Sequence, residues 1–105
     1  MKRTLYHSTT IVAARAILRH GFKDGRGLQI GRSKSIRGVC LSNTPVDENE
    51  GAMSSEALIE VLVDLPAVTF AFYEVKEHGK PFREWLFPAR LLKGVRCRAS
   101  QALRK

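Results

Sequence analysis

The chain has 105 residues, 44% of them hydrophobic, which predicts one folded domain over residues 1–105 and excludes a disordered polar chain. No stretch approaches the run of about 18 apolar residues that a membrane helix needs, and no apolar signal segment follows Met1. We therefore expect a cytoplasmic protein without membrane partners. The formal net charge of +8 is typical of proteins that bind nucleic acid or an anionic nucleotide. It is equally compatible with a basic protein that has no anionic partner.

The residue types that bind metals do not occur at metal-site spacings. Cys40 and Cys97 are far apart in sequence and lack the close pairing of zinc ligands, so we predict free thiols. The acidic run over 47–50 lacks the alternation of a calcium loop. The sequence therefore predicts no metal site.

The first predicted unit is a strand followed by a helix. Residues 5–9 are typical of a short strand, and the hydroxyl of Thr10 is placed to cap the helix "IVAARAILRH". Gly21 is expected to end that helix, with Phe22 packing back on its last turn. Helical spacing predicts a buried side made of Val12, Ala13, Ala16, Ile17 and His20.

Residues 21–38 combine five glycines with five basic side chains. The segment matches neither a phosphate-binding P-loop nor a dinucleotide fingerprint. We expect a long mobile loop that covers an anionic ligand, the alternative being a solvated surface loop.

The remaining pattern is mostly β, which gives an α+β fold with one N-terminal helix. Residues 57–65 alternate cleanly between apolar and polar positions. Residues 68–75 are predicted to be extended, and 88–94 to form a turn or short helix. Further strands are predicted over 38–42, 82–87 and 95–100, with a basic tail over about 96–105.

Two polar residues lie within predicted strands. His7 shares a strand face with Leu5 and Thr9, where a histidine is either a satisfied core residue or a ligand-binding group. Glu84 lies in a strand that is apolar on both faces, so its carboxylate needs either an arginine partner or a functional role.

In chain order, "LYHST", "AILRHGF", the basic glycine-rich loop, "GVCLSNTP" and "REW" resemble the ADP-ribosyltransferase superfamily. The similar branch has a His–Tyr–Glu arrangement and includes poly(ADP-ribose) polymerases and diphtheria-type toxins; RNA 2′-phosphotransferases share its fold. The resemblance runs from Leu5 to about Leu92. It implies a split β-sheet that binds NAD.

The resemblance also implies roles for individual residues. His7 would bind a ribose hydroxyl in the adenosine half of NAD, and Glu84 would bind the 2′-hydroxyl of the nicotinamide ribose. The nicotinamide would contact Ser8 and lie on the strand Gly38–Ser42. Further NAD contacts would come from Thr9 on the first strand, from Cys40, Leu41 and Ser42 on that second strand, and from Arg26 and Arg32, which suit the pyrophosphate. Cys40 stands where the family has a stacking tyrosine, and a thiol stacks poorly.

The function that this resemblance implies is NAD-dependent transfer of ADP-ribose to a macromolecule, with nucleic acid or a nucleic-acid-associated protein as acceptor. Glu84 and His7 would be the catalytic pair, at opposite ends of one dinucleotide cleft. One alternative is a non-catalytic basic module on the same scaffold that binds nucleic acid or protein. A second alternative is an NAD-dependent RNA 2′-phosphotransferase.

Overall fold

A computed structural model describes residues 1–25, 29–30, 34–35, 37–45, 56–76, 79 and 81–100. Its strands are β1 (Lys2–Thr9), β2 (Gln29–Ile30), β3 (Lys34–Ser35), β4 (Val39–Ser42), β5 (Ala57–Asp64), β6 (Glu74–Val75), β7 (Glu84–Phe87) and β8 (Arg96–Ala99). Its helices are α1 (Ile11–His20), α2 (Ala67–Tyr73) and a 3-10 helix (Ala89–Leu92). The predicted α+β class is confirmed.

Helix α1 begins and ends where the sequence predicts. The Thr10 hydroxyl accepts a hydrogen bond from the Ala13 amide at 3.1 Å, and the Glu56 carboxylate accepts from the Ile11 amide at 3.1 Å. These two bonds satisfy amides that have no partner within the helix. Gly21 ends the helix with a φ of 87°, a conformation that favours glycine.

The predicted buried side of α1 is right for Ile17 but wrong for Val12, Ala16 and His20, which are exposed. Ala14 is the fully buried residue, and Ile11 and Ile17 pack beside it. Val12, which was expected to be buried, is 78% exposed.

Six of the strands form one antiparallel sheet in the order β6-β7-β4-β1-β5-β8. β1 pairs with β5 over eight residues, and β4 pairs with β7 over four. By contrast, β1 and β4 share one residue pair, Tyr6 with Ser42. The sheet therefore consists of two halves, β1-β5-β8 and β4-β7-β6, which meet at what we call the β1–β4 junction.

The register assigns each side chain to one of two faces. The core face carries the fully buried apolar side chains and contacts α1, α2 and the 3-10 helix; its members include Leu5, Leu41, Ile59, Val61, Val63, Trp85 and Phe87. We call the opposite side the outer face. One row of cross-strand partners runs along it: Arg98, Glu60, Tyr6, Ser42 and Glu84.

Residues 68–73 of the segment predicted to be extended are instead helical, within Ala67–Tyr73, while 74–75 do form a strand. The described residues therefore contain two α-helices where one was predicted. The β-branched and aromatic residues of this segment favoured a strand. In a strand Val68, Phe70 and Phe72 would share a face. In the helix Phe70 is 3% exposed and contacts Trp85, while Val68 and Phe72 are 74% and 77% exposed.

The basic loop over 21–38 contains regular structure that was not predicted. Gly25 pairs with Gly38, and β2 pairs with β3. The Asp24 carboxylate accepts a hydrogen bond from the Ala89 amide at 2.7 Å, which ties the loop's start to the 3-10 helix. Arg26 and Arg32, predicted to bind pyrophosphate, lie outside the described residues.

At the other end of the chain, the predicted final strand is β8. Of the predicted basic tail, residues 101–105 lie outside the described part.

Candidate functional site at the β1–β4 junction

The imidazole of His7 joins the two half-sheets. Its Nδ1 lies 2.8 Å from the Cys40 carbonyl oxygen, beside the Tyr6–Ser42 pair. A carbonyl only accepts, so Nδ1 donates and Nε2 of the neutral ring is left as an acceptor. The side chain thus supplies a polar link where the strands share only that one residue pair.

The surroundings of His7 favour its neutral form. Burial lowers the pKa of the imidazole, and the hydrogen bond to Cys40 opposes part of that effect. The Phe22 ring meets the imidazole edge-on at 5.5 Å between centroids. Phe22 was predicted to pack back onto α1, and it lies against both the core and this ring.

Glu84 and Ser42 are buried polar neighbours on the outer face. They are cross-strand partners on β7 and β4, 6% and 5% exposed. Two carbonyls lie within reach of the Ser42 hydroxyl, that of Thr44 at 2.6 Å and that of Tyr6 at 3.4 Å, and its single proton goes to the nearer one, Thr44. The Ser42 hydroxyl can accept a hydrogen bond from a ligand amide but cannot donate a second one.

Two further predicted nicotinamide contacts share the outer face with this pair. Counting two residues away from the Tyr6–Ser42 pair along each antiparallel strand reaches Ser8 on β1 and Cys40 on β4. Both are half-buried. The junction therefore brings together Ser8, Cys40, Ser42 and Glu84.

Other predicted site residues are placed elsewhere. His7 and Thr9 are partners of Ile59 and Ala57, and they belong to the core face. Leu41 is fully buried there, opposite Trp85, so it can offer a ligand its backbone only. His7 and Glu84 lie on opposite faces of the sheet, on either side of the β1–β4 junction, so the expectation that they stand at the two ends of one cleft is wrong.

Gly38 has a packing role at the start of β4. A Cβ at this position would lie 3.0 Å from the Phe87 carbonyl oxygen and 3.1 Å from the Leu86 side chain. The close approach of β4 to β7, which positions Ser42 beside Glu84, therefore requires glycine here.

Sequence reasoning missed the ion pair between Arg83, which precedes β7, and Glu74 on β6. Arg83 makes two hydrogen bonds to the Glu74 carboxylate, at 2.9 and 2.7 Å, and these lower the pKa of that carboxyl. The Arg83 amide donates to the Asn43 side-chain oxygen, and the Asn43 amide donates to the Arg83 carbonyl. These two bonds align β7 with β4 just beside Glu84. The one signal for this ion pair in the sequence was Arg83 itself, directly before Glu84 in "REW".

Among the described residues, no group of three or more His, Cys, Asp or Glu side chains is arranged to hold a metal. In the same part of the chain no helix is long and apolar enough to cross a bilayer. Comparison with protein-family models, with curated proteins and with solved structures finds no match.

Proposed function

We propose that this protein is an NAD-dependent ADP-ribosyltransferase whose donor site is the β1–β4 junction. The observation that supports the proposal is the divided sheet: two well-paired halves meet at one residue pair, with a histidine on one side and a buried carboxylate on the other. A split sheet of this kind is what the family resemblance implies.

The buried carboxylate suits cleavage of a glycosidic bond. When the bond between ribose and nicotinamide breaks, nicotinamide leaves with the electron pair and C1′ becomes an oxocarbenium-like centre. A carboxylate fixed beside the ribose stabilises that charge most strongly where water is excluded, and Glu84 is 6% exposed. The acceptor then attacks C1′ and loses its proton.

Ser8, Cys40 and Ser42 surround the place that the nicotinamide half would occupy. The Ser42 oxygen accepts from the carboxamide, because its proton is held by Thr44. Cys40 offers a thiol where stacking on nicotinamide would need an aromatic ring. In this proposal the nicotinamide is therefore positioned by polar contacts and by its packing against β1 and β4.

His7 has a positioning role in this proposal. It faces the core, on the opposite side of the sheet from Glu84, so it does not contact the donor. Its Nδ1 donates to the Cys40 carbonyl and holds β4 against β1, which fixes Cys40 and Ser42 beside the nicotinamide half.

The test is release of nicotinamide from NAD labelled in that ring, with and without candidate acceptors. Glu84→Gln keeps the shape and removes the charge, so we expect the rate to fall at least about 100-fold with NAD affinity changed little. Asp64→Asn is the matched control, because Asp64 is an exposed carboxylate far along β5. Equal rates for the wild type and Glu84→Gln would refute the proposal.

A further inference from the structure

A groove of about 420 Å³ lies on the outer face, across β1, β5 and β8. Its lining comes mainly from two cross-strand rows, Arg98 with Glu60 and Arg96 with Leu62 and Thr4, together with Cys97 between the two arginines. Tyr6, the partner of Glu60, continues the first row on β1. The groove therefore lies on the same face as Glu84 but in the other half of the sheet.

The two arginines make the β8 wall of the groove basic. Arg98 is paired with Glu60, and its side chain is 77% exposed. Arg96 is exposed and has no acidic partner among the described residues. Two residues apart on one strand, they lie about 6.7 Å apart along the strand and can contact successive negative groups.

The floor of the groove is apolar at Leu62, which is 39% exposed, and the half-buried Tyr6 follows Glu60 in the adjoining row. An aromatic ring offers a base a stacking surface, an exposed leucine offers it an apolar contact, and the arginines suit the phosphates. Bases inside a double helix cannot reach such a floor.

We propose that this groove binds single-stranded nucleic acid, with phosphates on Arg96 and Arg98 and bases over Leu62 and Tyr6. The row that forms the groove continues through Ser42 to Glu84, four strand spacings or about 19 Å from Arg98. A nucleic-acid strand bound along this row runs towards the carboxylate of Glu84. That the bound strand is the acceptor rests on the proposed transferase function, whereas the binding itself does not.

The test measures binding of a fluorescent 12-nucleotide RNA or DNA strand to the full chain, without NAD, by anisotropy at several salt concentrations. We expect Arg96→Glu to weaken binding at least about tenfold. Arg15→Glu makes the same charge change at an exposed site on α1 and should cost less than about threefold. Arg96→Ala should lower the salt slope by about 0.7, the value for one contact to a single strand.

A variant with the opposite effect makes the test stricter. Glu60→Gln removes the negative charge from the groove and releases Arg98, so we expect binding to tighten about two- to threefold. Circular dichroism would verify that each variant is folded.

Three results would overturn the proposal. One is equal loss in Arg96→Glu and Arg15→Glu, which means diffuse charge attraction. Another is duplex bound as tightly as single strand. The third is polyglutamate competing with the same dependence on Arg96, which means an acidic protein partner. Nicotinamide release is measured separately, so a chain that cleaves NAD but fails these tests loses only this inference. A chain that passes them without cleaving NAD loses only the transferase function.

Discussion

The two halves of the outer face have the same strand geometry but opposite exposure. In the β1-β5-β8 half, Leu62 is 39% exposed and Thr4 is open to solvent. In the β4-β7 half, Ser42, Glu84 and Leu86 are 5%, 6% and 7% exposed. The row of cross-strand partners crosses from one environment to the other at Tyr6 and Ser42.

Under the two proposals, this difference assigns binding of the nucleic acid to one half and the chemistry to the other. The open half can bind an extended partner without displacing protein groups, and its polar side chains remain hydrated. The buried half holds a hydroxyl and a carboxylate away from water, where charge interactions are stronger and unsatisfied groups are costly.

The largest expected effect tests whether the halves fold together on their shared core. Trp85 is fully buried, contacts Phe70, and donates its indole N–H to the Phe70 carbonyl at 3.0 Å. We expect Trp85→Ala to lower the free energy of unfolding by about 3–5 kcal/mol in urea denaturation. Phe72→Ala is the control, because Phe72 is 77% exposed.

Hydrogen exchange in Trp85→Ala completes this test. If the halves are one cooperative unit, the amides of β5 lose protection together with those of β7. Persistent protection of β5 alone would mean that the halves are independent.

The next prediction compares loss of a hydroxyl in each half. Ser42→Ala removes the donor to the Thr44 carbonyl, and we expect it to cost about 1–2 kcal/mol of unfolding free energy. Thr4→Val removes an exposed hydroxyl and should change stability by less than about 0.5 kcal/mol. Thermal unfolding of both variants measures the difference. Equal losses of unfolding free energy in the two variants would mean that the hydrogen bond of the buried hydroxyl does not contribute more to stability than an exposed hydroxyl does.

The smallest effect is the pH dependence that His7 gives to stability. Burial holds the pKa of His7 below its usual value of about 6.5. Between the lowered pKa of His7 in the folded protein and the value of about 6.5 in the unfolded chain, the unfolded chain binds a proton that the folded protein does not. Stability therefore rises with pH in that range and is lost as pH falls below about 6.5. The slope contributed by one group is at most about 1.4 kcal/mol per pH unit.

Denaturation between pH 5 and pH 8 measures that slope. We expect His7→Gln to remove it, and His20→Gln to retain it because His20 is exposed at the end of α1. An unchanged slope in His7→Gln would assign the titration to another group.

Local signals in the sequence predicted most of the elements. Thr10 and Gly21 marked the ends of α1, and the alternation over 57–65 identified β5 and its buried face. Helix α2 was missed because its residues favour strands, and the contact of Phe70 with Trp85, fifteen residues away, outweighs that local preference.

Sequence patterns named the site residues but could not place them relative to one another. The order of strands depends on long-range pairing, so nothing local indicated that His7 would bond the Cys40 carbonyl 33 residues away. Alternation along β1 did predict that His7 shares the face of Leu5. It could not show that Glu84 lies on the other face, because that depends on the register through Ser42.

The most direct test of the junction as the donor site is an NAD titration of the ¹⁵N-labelled protein followed by NMR. We predict that the largest amide shifts fall on Ser8, Cys40, Ser42 and Glu84, accompanied by a change in the ring signals of His7. No shift at millimolar NAD, or shifts confined to α1 and β8 with the β1–β4 junction unchanged, would contradict the account.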